Sequence, residues 1–136
     1  MDNLDMTFQD VKNQASSSVT MRTIRFHDYG EPTDVLRLEE AAIPELGPGR
    51  IRVRVRACGL NPVDWVTCRG HFAGQLPLPR GIGLDVSGIV DAIGEGVTDV
   101  AIGDAVLGGA DFMSGSSAGA SDRAIMYYWF RMPDGL

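Results

Sequence analysis

A chain of 136 residues holds one domain and is too short for two full-sized ones. Eighteen acidic against twelve basic residues leave a formal charge of −6, which argues against nonspecific nucleic-acid binding, where cations cluster. Lys12 is the only lysine; with none after a glycine-rich loop, a phosphate-cradling P-loop is excluded. Cys58 and Cys68 make neither a disulfide framework nor a CxxC metal clip. No early segment reads as a signal peptide and none reaches membrane-spanning length, so a membrane is not an expected partner and a reducing cytoplasm is the default location.

Residues 1–20 are polar, lack sustained periodicity and carry the run Ser16-Ser17-Ser18, which predicts a disordered or frayed tail. Alternation over 22–27 predicts a first strand, followed by turn chemistry at Asp28-Tyr29-Gly30-Glu31-Pro32. Residues 35–40 read as a second strand anchored by Val35 and Leu36, and Gly47-Pro48-Gly49 marks the next loop. The clearest strand is 51–57: Ile51, Val53, Val55 and Ala57 share one face, Arg52, Arg54 and Arg56 the other. That arginine row fits an anionic partner or a solvated sheet face paired with acidic neighbours, and the second reading is favoured.

The stretch Ala57 to Gly70, ACGLNPVDWVTCRG, reads as a capped helix. Asn61 suits the N-cap, Pro62 the first helical position, Asp64 the positive end of the helix dipole and Gly70 the stop. Beyond it Pro77, Pro79 and Gly81 predict irregular chain. Residues 84–93 predict an apolar strand, with Gly88 marking a bulge or barrel corner. Short strands are expected at 105–107 and 123–128, separated by a mobile Gly/Ser-rich stretch at 108–119. Many short strands with Gly/Pro punctuation and one good helix indicate a mainly β, barrel-like domain.

Two motifs lead nowhere. Gly115-Ser116-Ser117-Ala118-Gly119 matches GxSxG, yet a nucleophile elbow needs a strand before it, a helix after it and a later histidine. His27 and His71 both precede Ser117, which argues against a serine hydrolase. The pairs Gly81/Gly83, Gly94/Gly96 and Gly47/Gly49 lack the third glycine and following helix of a dinucleotide-binding turn.

The motif AxGxNPxDxxxxxG after a strand resembles the N-terminal domain of medium-chain dehydrogenase/reductases, in their zinc-independent quinone oxidoreductase (zeta-crystallin-like) branch. MRTIRFHDYGEPTDVLRLEE and PELGPGRIRVRVRA lie upstream; LPLPRGIGLDVSGIVDAIGEGVTDV, IGDAVLG and RMPDGL lie downstream. The resemblance runs from Met21 to Leu136 in the order expected of the family. It implies a GroES-like, partly open β-barrel over 21–136, with one or two short helices. The partner of such a barrel, a Rossmann domain binding NADPH, has no counterpart among these residues: the family's AxxGGxG does not occur. The domain is therefore expected to be incomplete.

By the same resemblance the reaction is hydride transfer from NADPH to a small quinone or enone. Asn61 would lie near the nicotinamide and the substrate carbonyl, and Asp64 would hold that turn. Many relatives carry tyrosine where Phe72 stands, so a hydroxyl proton donor is lacking there. His71 is the candidate substitute, since histidine titrates near neutrality; the alternative is an exposed loop histidine. Trp65 and Phe72 wall an apolar substrate pocket or serve as core packing. Zinc-dependent relatives place a cysteine and Gly-His-Glu at their metal. Here Asn61-Pro62 and Gly83-Leu84-Asp85 stand in those regions, and no zinc is expected. Cys58 reads as a small core residue.

Two functions follow. One is the catalytic-domain portion of an NADPH-dependent quinone or enone oxidoreductase, not expected to be active alone: a truncated fragment, or one half of a split enzyme whose other half is a separate Rossmann-domain polypeptide. The other is a stand-alone GroES-like ligand-binding or interaction module without redox activity. Either would leave apolar surface that invites a homodimer.

Overall fold

The computed structural model describes residues 20–115 and 117–136. The expected tail therefore falls outside the described residues, except Thr20, which opens the first strand. In chain order the elements are β1 (Thr20–Phe26), α1 (Pro32–Val35), β2 (Arg37–Ala42), β3 (Ile51–Gly59), α2 (Pro62–Cys68), β4 (Arg80–Gly81), β5 (Asp85–Ile93), β6 (Ala105–Ala110) and β7 (Arg123–Arg131).

Strands β3, β5, β6 and β7 close into an antiparallel barrel. Its interior is aliphatic: Ile51, Val53, Val86, Val90, Val106 and Met126 are fully or nearly fully buried against one another. Each such side chain contributes about 1.5–3 kcal/mol relative to exposure. The remaining strands form a three-stranded sheet in the order β2-β1-β4, also antiparallel. This sheet and α2 enclose a second, smaller cluster of Phe26, Cys68 and Ile82, with Tyr29, Val35, Leu36 and Leu78 packed around it.

The two parts are joined by polar contacts. Thr23 and Ser121 share a hydroxyl–hydroxyl bond of 2.6 Å across a single β-bridge. Arg22 donates from its backbone N–H and its guanidinium to the Asp122 carboxylate at 2.9–3.2 Å.

The structure corrects several sequence expectations. Val35 is not in a strand: Pro32 starts a single helical turn, and Val35 and Leu36 pack on the second cluster before β2 begins at Arg37. The inward face of β3 does not continue to Ala57. The β3–β5 register shifts between Val55 and Ala57, which leaves Arg56 as an extra residue and turns both Arg56 and Ala57 outward. This bulge lies on β3, opposite Gly88, where a Cβ would sit 2.2 Å from the Arg54 carbonyl oxygen; a second register shift, between Arg52 and Val53, leaves Asp91 as the extra residue on β5. Of the arginine row, Arg52 is paired, its Nε 2.9 Å from Asp91, which also takes Arg123 at 2.7 Å; Arg54 and Arg56 are exposed.

Residues 108–110, expected in a mobile stretch, instead complete β6. Gly108 marks a close approach and not a turn: a Cβ would stand 2.1 Å from the Tyr128 carbonyl oxygen.

Candidate functional site

The site forms where β3 runs out and α2 begins, on the rim of the barrel. Asn61 occupies the N-cap with extended backbone. Its N–H donates to Asp64 Oδ2 at 2.7 Å, while the Asp64 N–H is bonded to the Asn61 backbone carbonyl at 2.9 Å. The Asn61 side chain stands in a capping box with Asp64 but closes no sound cap bond of its own. It turns instead to β5, where its Nδ2 donates to Asp85 Oδ2 at 3.0 Å.

Asp64 is 8% exposed. Its second oxygen, Oδ1, accepts the buried Gly83 N–H at 2.8 Å. One carboxylate thus satisfies two backbone donors, one on the helix cap and one in the segment leading into β5. An anion at the first turn of a helix is also favoured by the dipole.

Cys58 lies beside these groups, half-buried. Two glycines leave room for its Sγ: a Cβ would come within 2.3 Å of it at Gly83 and within 3.0 Å at Gly119. Burial, with the nearby Asp64 and Asp85 charges, pushes the Cys58 thiol above its usual range. Such a thiol is a poor nucleophile. Among the described residues no three His, Cys, Asp or Glu side chains are placed to hold a metal ion.

At the far end of α2 the chain stops as the sequence predicts. Gly70 takes φ +93°. Its N–H bonds Thr67 O and the His71 N–H bonds Val66 O, both at 3.0 Å, which is the Schellman pattern. Arg69 holds Glu31 through two bonds of 3.0 Å, and the Gly30 N–H reaches Cys68 O at 2.8 Å. His71 and Phe72 follow, the exposed imidazole edge-on to the phenyl ring with centroids 4.9 Å apart.

The sequence-derived site residues therefore fall into two groups. Asn61 and Asp64 meet at the N-terminus of α2; His71 and Phe72 meet beyond its C-terminus, with a helix of roughly 10 Å between. Phe72 lines a cavity of about 220 Å3 with Gln75, Leu76, Phe112 and Met113. Trp65 is 41% exposed and is not among its lining. A larger open pocket of about 480 Å3 adjoins the Asn61 end, lined by Gly59, Asp85, Leu107, Tyr128 and Phe130 among others.

Two contributors escaped the sequence reading. The sequence marks Asp85 only as standing where metal-binding relatives carry glutamate; its bond to Asn61 depends on the β3–β5 register, which pairs Gly59 with Asp85. Arg80 sits in a stretch that reads as a proline-rich loop, yet it is 2% exposed.

The closed four-stranded barrel, its flanking sheet and the helix capped at the barrel rim define a GroES-like β domain. The chain belongs to the alcohol dehydrogenase GroES-like domain family, whose model matches residues 47–126. It is 38% identical over 94 residues to the quinone oxidoreductase of Lama guanicoe, an alignment covering 68% of this chain and 28% of that protein. The solved quinone oxidoreductase of Coxiella burnetii superposes with a TM-score of 0.75 at 30% identity, over 86% of this chain and 38% of the other. That of Escherichia coli, solved in complex with NADPH, gives 0.70 at 26% identity over 85% and 34%. The chain thus spans little more than a quarter of the length of the curated relative.

Proposed function

We propose that this chain is the substrate-side, catalytic-domain portion of an NADPH-dependent quinone or enone oxidoreductase. Asn61 supplies the hydrogen bond to the substrate carbonyl. The observation that carries the reading is the disposition of the Asn61 amide. One of its two Nδ2 hydrogens is taken by Asp85; an amide nitrogen has a second to give. A donor fixed at the rim of a rigid barrel needs no reorganisation as a carbonyl oxygen becomes an enolate or phenolate. Asp64 serves this arrangement by holding the Asn61 backbone to Gly83. The open pocket beside Asn61, with Leu107, Tyr128 and Phe130 in its wall, offers the apolar contacts of the substrate, whereas His71 and Phe72 lie beyond the other end of α2.

NADPH does not fit the described residues alone. Their helices are α1 and α2, of four and seven residues. Neither follows a strand through a glycine-rich turn of the kind that receives a pyrophosphate. The reading therefore assigns the cofactor's phosphates to chain outside these 136 residues. The reading keeps the cytoplasm as the location and expects no zinc, since Asn61-Pro62 and Gly83-Leu84-Asp85 stand where zinc-dependent relatives carry their ligands. Among the described residues no helix is long and apolar enough to cross a membrane.

Titration of the purified chain tests the reading. With NADPH alone, no binding is expected in the micromolar range, and no quinone reduction. With duroquinone, whose ring is fully substituted and cannot arylate a thiol, the side-chain amide resonances of Asn61 should shift. Asn61→Ala should weaken that binding by about fivefold, one neutral hydrogen bond being worth about 1 kcal/mol. Micromolar NADPH binding contradicts the cofactor assignment, and undiminished quinone binding in Asn61→Ala removes Asn61 from the site.

A further inference from the structure

Along β5, Val86 is buried in the barrel core, while its neighbours Asp85 and Ser87 face outward and line the open pocket beside Asn61. Strand pairing sets what surrounds Asp85. Its partners are Gly59 on β3 and Gly109 on β6, neither of which has a side chain to cover it, and Asp85 is exposed. Gly109 in turn pairs with Tyr128 on β7. A Cβ at Gly109 would stand 2.4 Å from Tyr128 Cε1, so the tyrosine ring lies over that glycine. Adjacent strands are about 4.8 Å apart, which sets the ring one strand away from the carboxylate. Phe130 pairs with Leu107 in the next row, and its ring lies 6.2 Å from that of Tyr128.

Asp85 is the one charged side chain among the described residues that line this pocket. The Asn61 amide donates to its Oδ2, and no cation among the described residues forms an ion pair with it. Other carboxylates of the barrel are matched: Asp91 by Arg52 and Arg123, Asp104 by Arg131, Asp111 by Arg50. An open carboxylate beside aromatic rings suits an organic cation. The carboxylate supplies the counter-charge, and the ring quadrupoles attract the same charge. The pocket, of about 480 Å3, lies within the 300–1,000 Å3 or so typical of small-ligand sites.

We propose that Asp85 makes this pocket selective for charge: it takes a ring compound carrying a protonated amine in preference to a neutral one, and turns away an anionic one. Calling that compound a substrate rests on the oxidoreductase reading; the binding itself does not. Under that reading, a quinone or enone bearing an amine is preferred over one bearing a carboxylate.

Benzylamine, benzyl alcohol and benzoate share one ring and differ in charge. They are the probes, titrated into the whole chain at low salt and read by calorimetry and by resonance shifts of Tyr128 and Phe130. Benzylamine, an ammonium at neutral pH, should bind about fivefold more tightly than benzyl alcohol, the scale of an exposed ion pair. Benzoate should bind more weakly than either. The preference should shrink as salt is added. Asp85→Asn keeps the size of the side chain and should bring the three probes to similar affinities. It changes a net charge of −6 by one, so a preference due to the overall charge of the chain would survive it. The proposal is overturned if benzyl alcohol or benzoate matches benzylamine, if benzylamine does not shift Tyr128 or Phe130, or if Asp85→Asn keeps the order. Should Asp85→Asn fail to fold, Asp85→Ser makes the same comparison. Duroquinone is neutral, so its binding tests the oxidoreductase reading while these probes test the charge preference, and either can fail alone.

Discussion

The barrel and the sheet-and-helix flank are built on different physics. Inside the barrel the contacts are aliphatic and interchangeable in kind: Ile51, Val53, Val90, Val106 and Met126 form one continuous cluster. In the flank the buried apolar cluster is small, and position is fixed by single polar links. Asp64 spans Asn61 and Gly83, Arg69 grips Glu31, Thr23 meets Ser121 and Arg22 meets Asp122. Diffuse burial gives stability; directional bonds give placement. The candidate site lies on the border, its helix held by links and its partner Asp85 carried by a barrel strand.

Three perturbations separate these contributions. The largest effect is expected in the barrel, where Met126→Ala removes a fully buried side chain and should cost about 2–5 kcal/mol in denaturant unfolding. A loss well below that range would mean that the barrel core collapses around the gap and is not tightly packed. Asp64→Ala should cost less, about 1–3 kcal/mol, because two backbone donors lose their acceptor and the one at Gly83 is buried. Hydrogen exchange should rise at Asn61 and Gly83 while barrel amides keep their protection. Uniform loss of protection would show that flank and barrel unfold as one.

The smallest effect belongs to the Arg22–Asp122 link. The Arg22 guanidinium and backbone N–H hold the Asp122 carboxyl below its usual range. A lowered carboxylate pKa adds stability above its unfolded value, and the gain is lost as pH falls through the folded value. The pair is solvent-exposed, so the contribution should stay below about 1 kcal/mol. Asp122→Asn should therefore be slightly less stable than the unaltered chain at neutral pH, the difference closing below about pH 5. A difference that persists into acid would assign the effect to geometry and not to charge.

What the sequence disclosed follows the same division. The interior of β3 could be read from alternation as far as Val55, because a half-buried strand repeats every two residues. Helix α2 could be read from both ends, since Asn61, Pro62, Asp64 and Gly70 act through their immediate neighbours. Elements too short for any period escaped: α1 has four residues and β4 two. β7 runs three residues beyond its expected end at Tyr128, because Tyr128 and Phe130 are exposed and do not alternate with polar residues. Contacts between segments distant in sequence left no local trace. Asp64 to Gly83, Asn61 to Asp85 and Arg80 to Phe112 became visible only once strands had been paired.

β2 lies at the outer border of its sheet, with β1 on one side and no strand on the other among the described residues. A bare row of peptide groups is a template on which a foreign strand can grow. Here that border carries Arg37, Glu39 and Glu40, and Glu39 is clasped by Arg25 and His27. A second molecule laid alongside in register would set like charges face to face. The charges thus guard this open border by mutual repulsion, a safeguard that neutralising Glu39 and Glu40 together would remove.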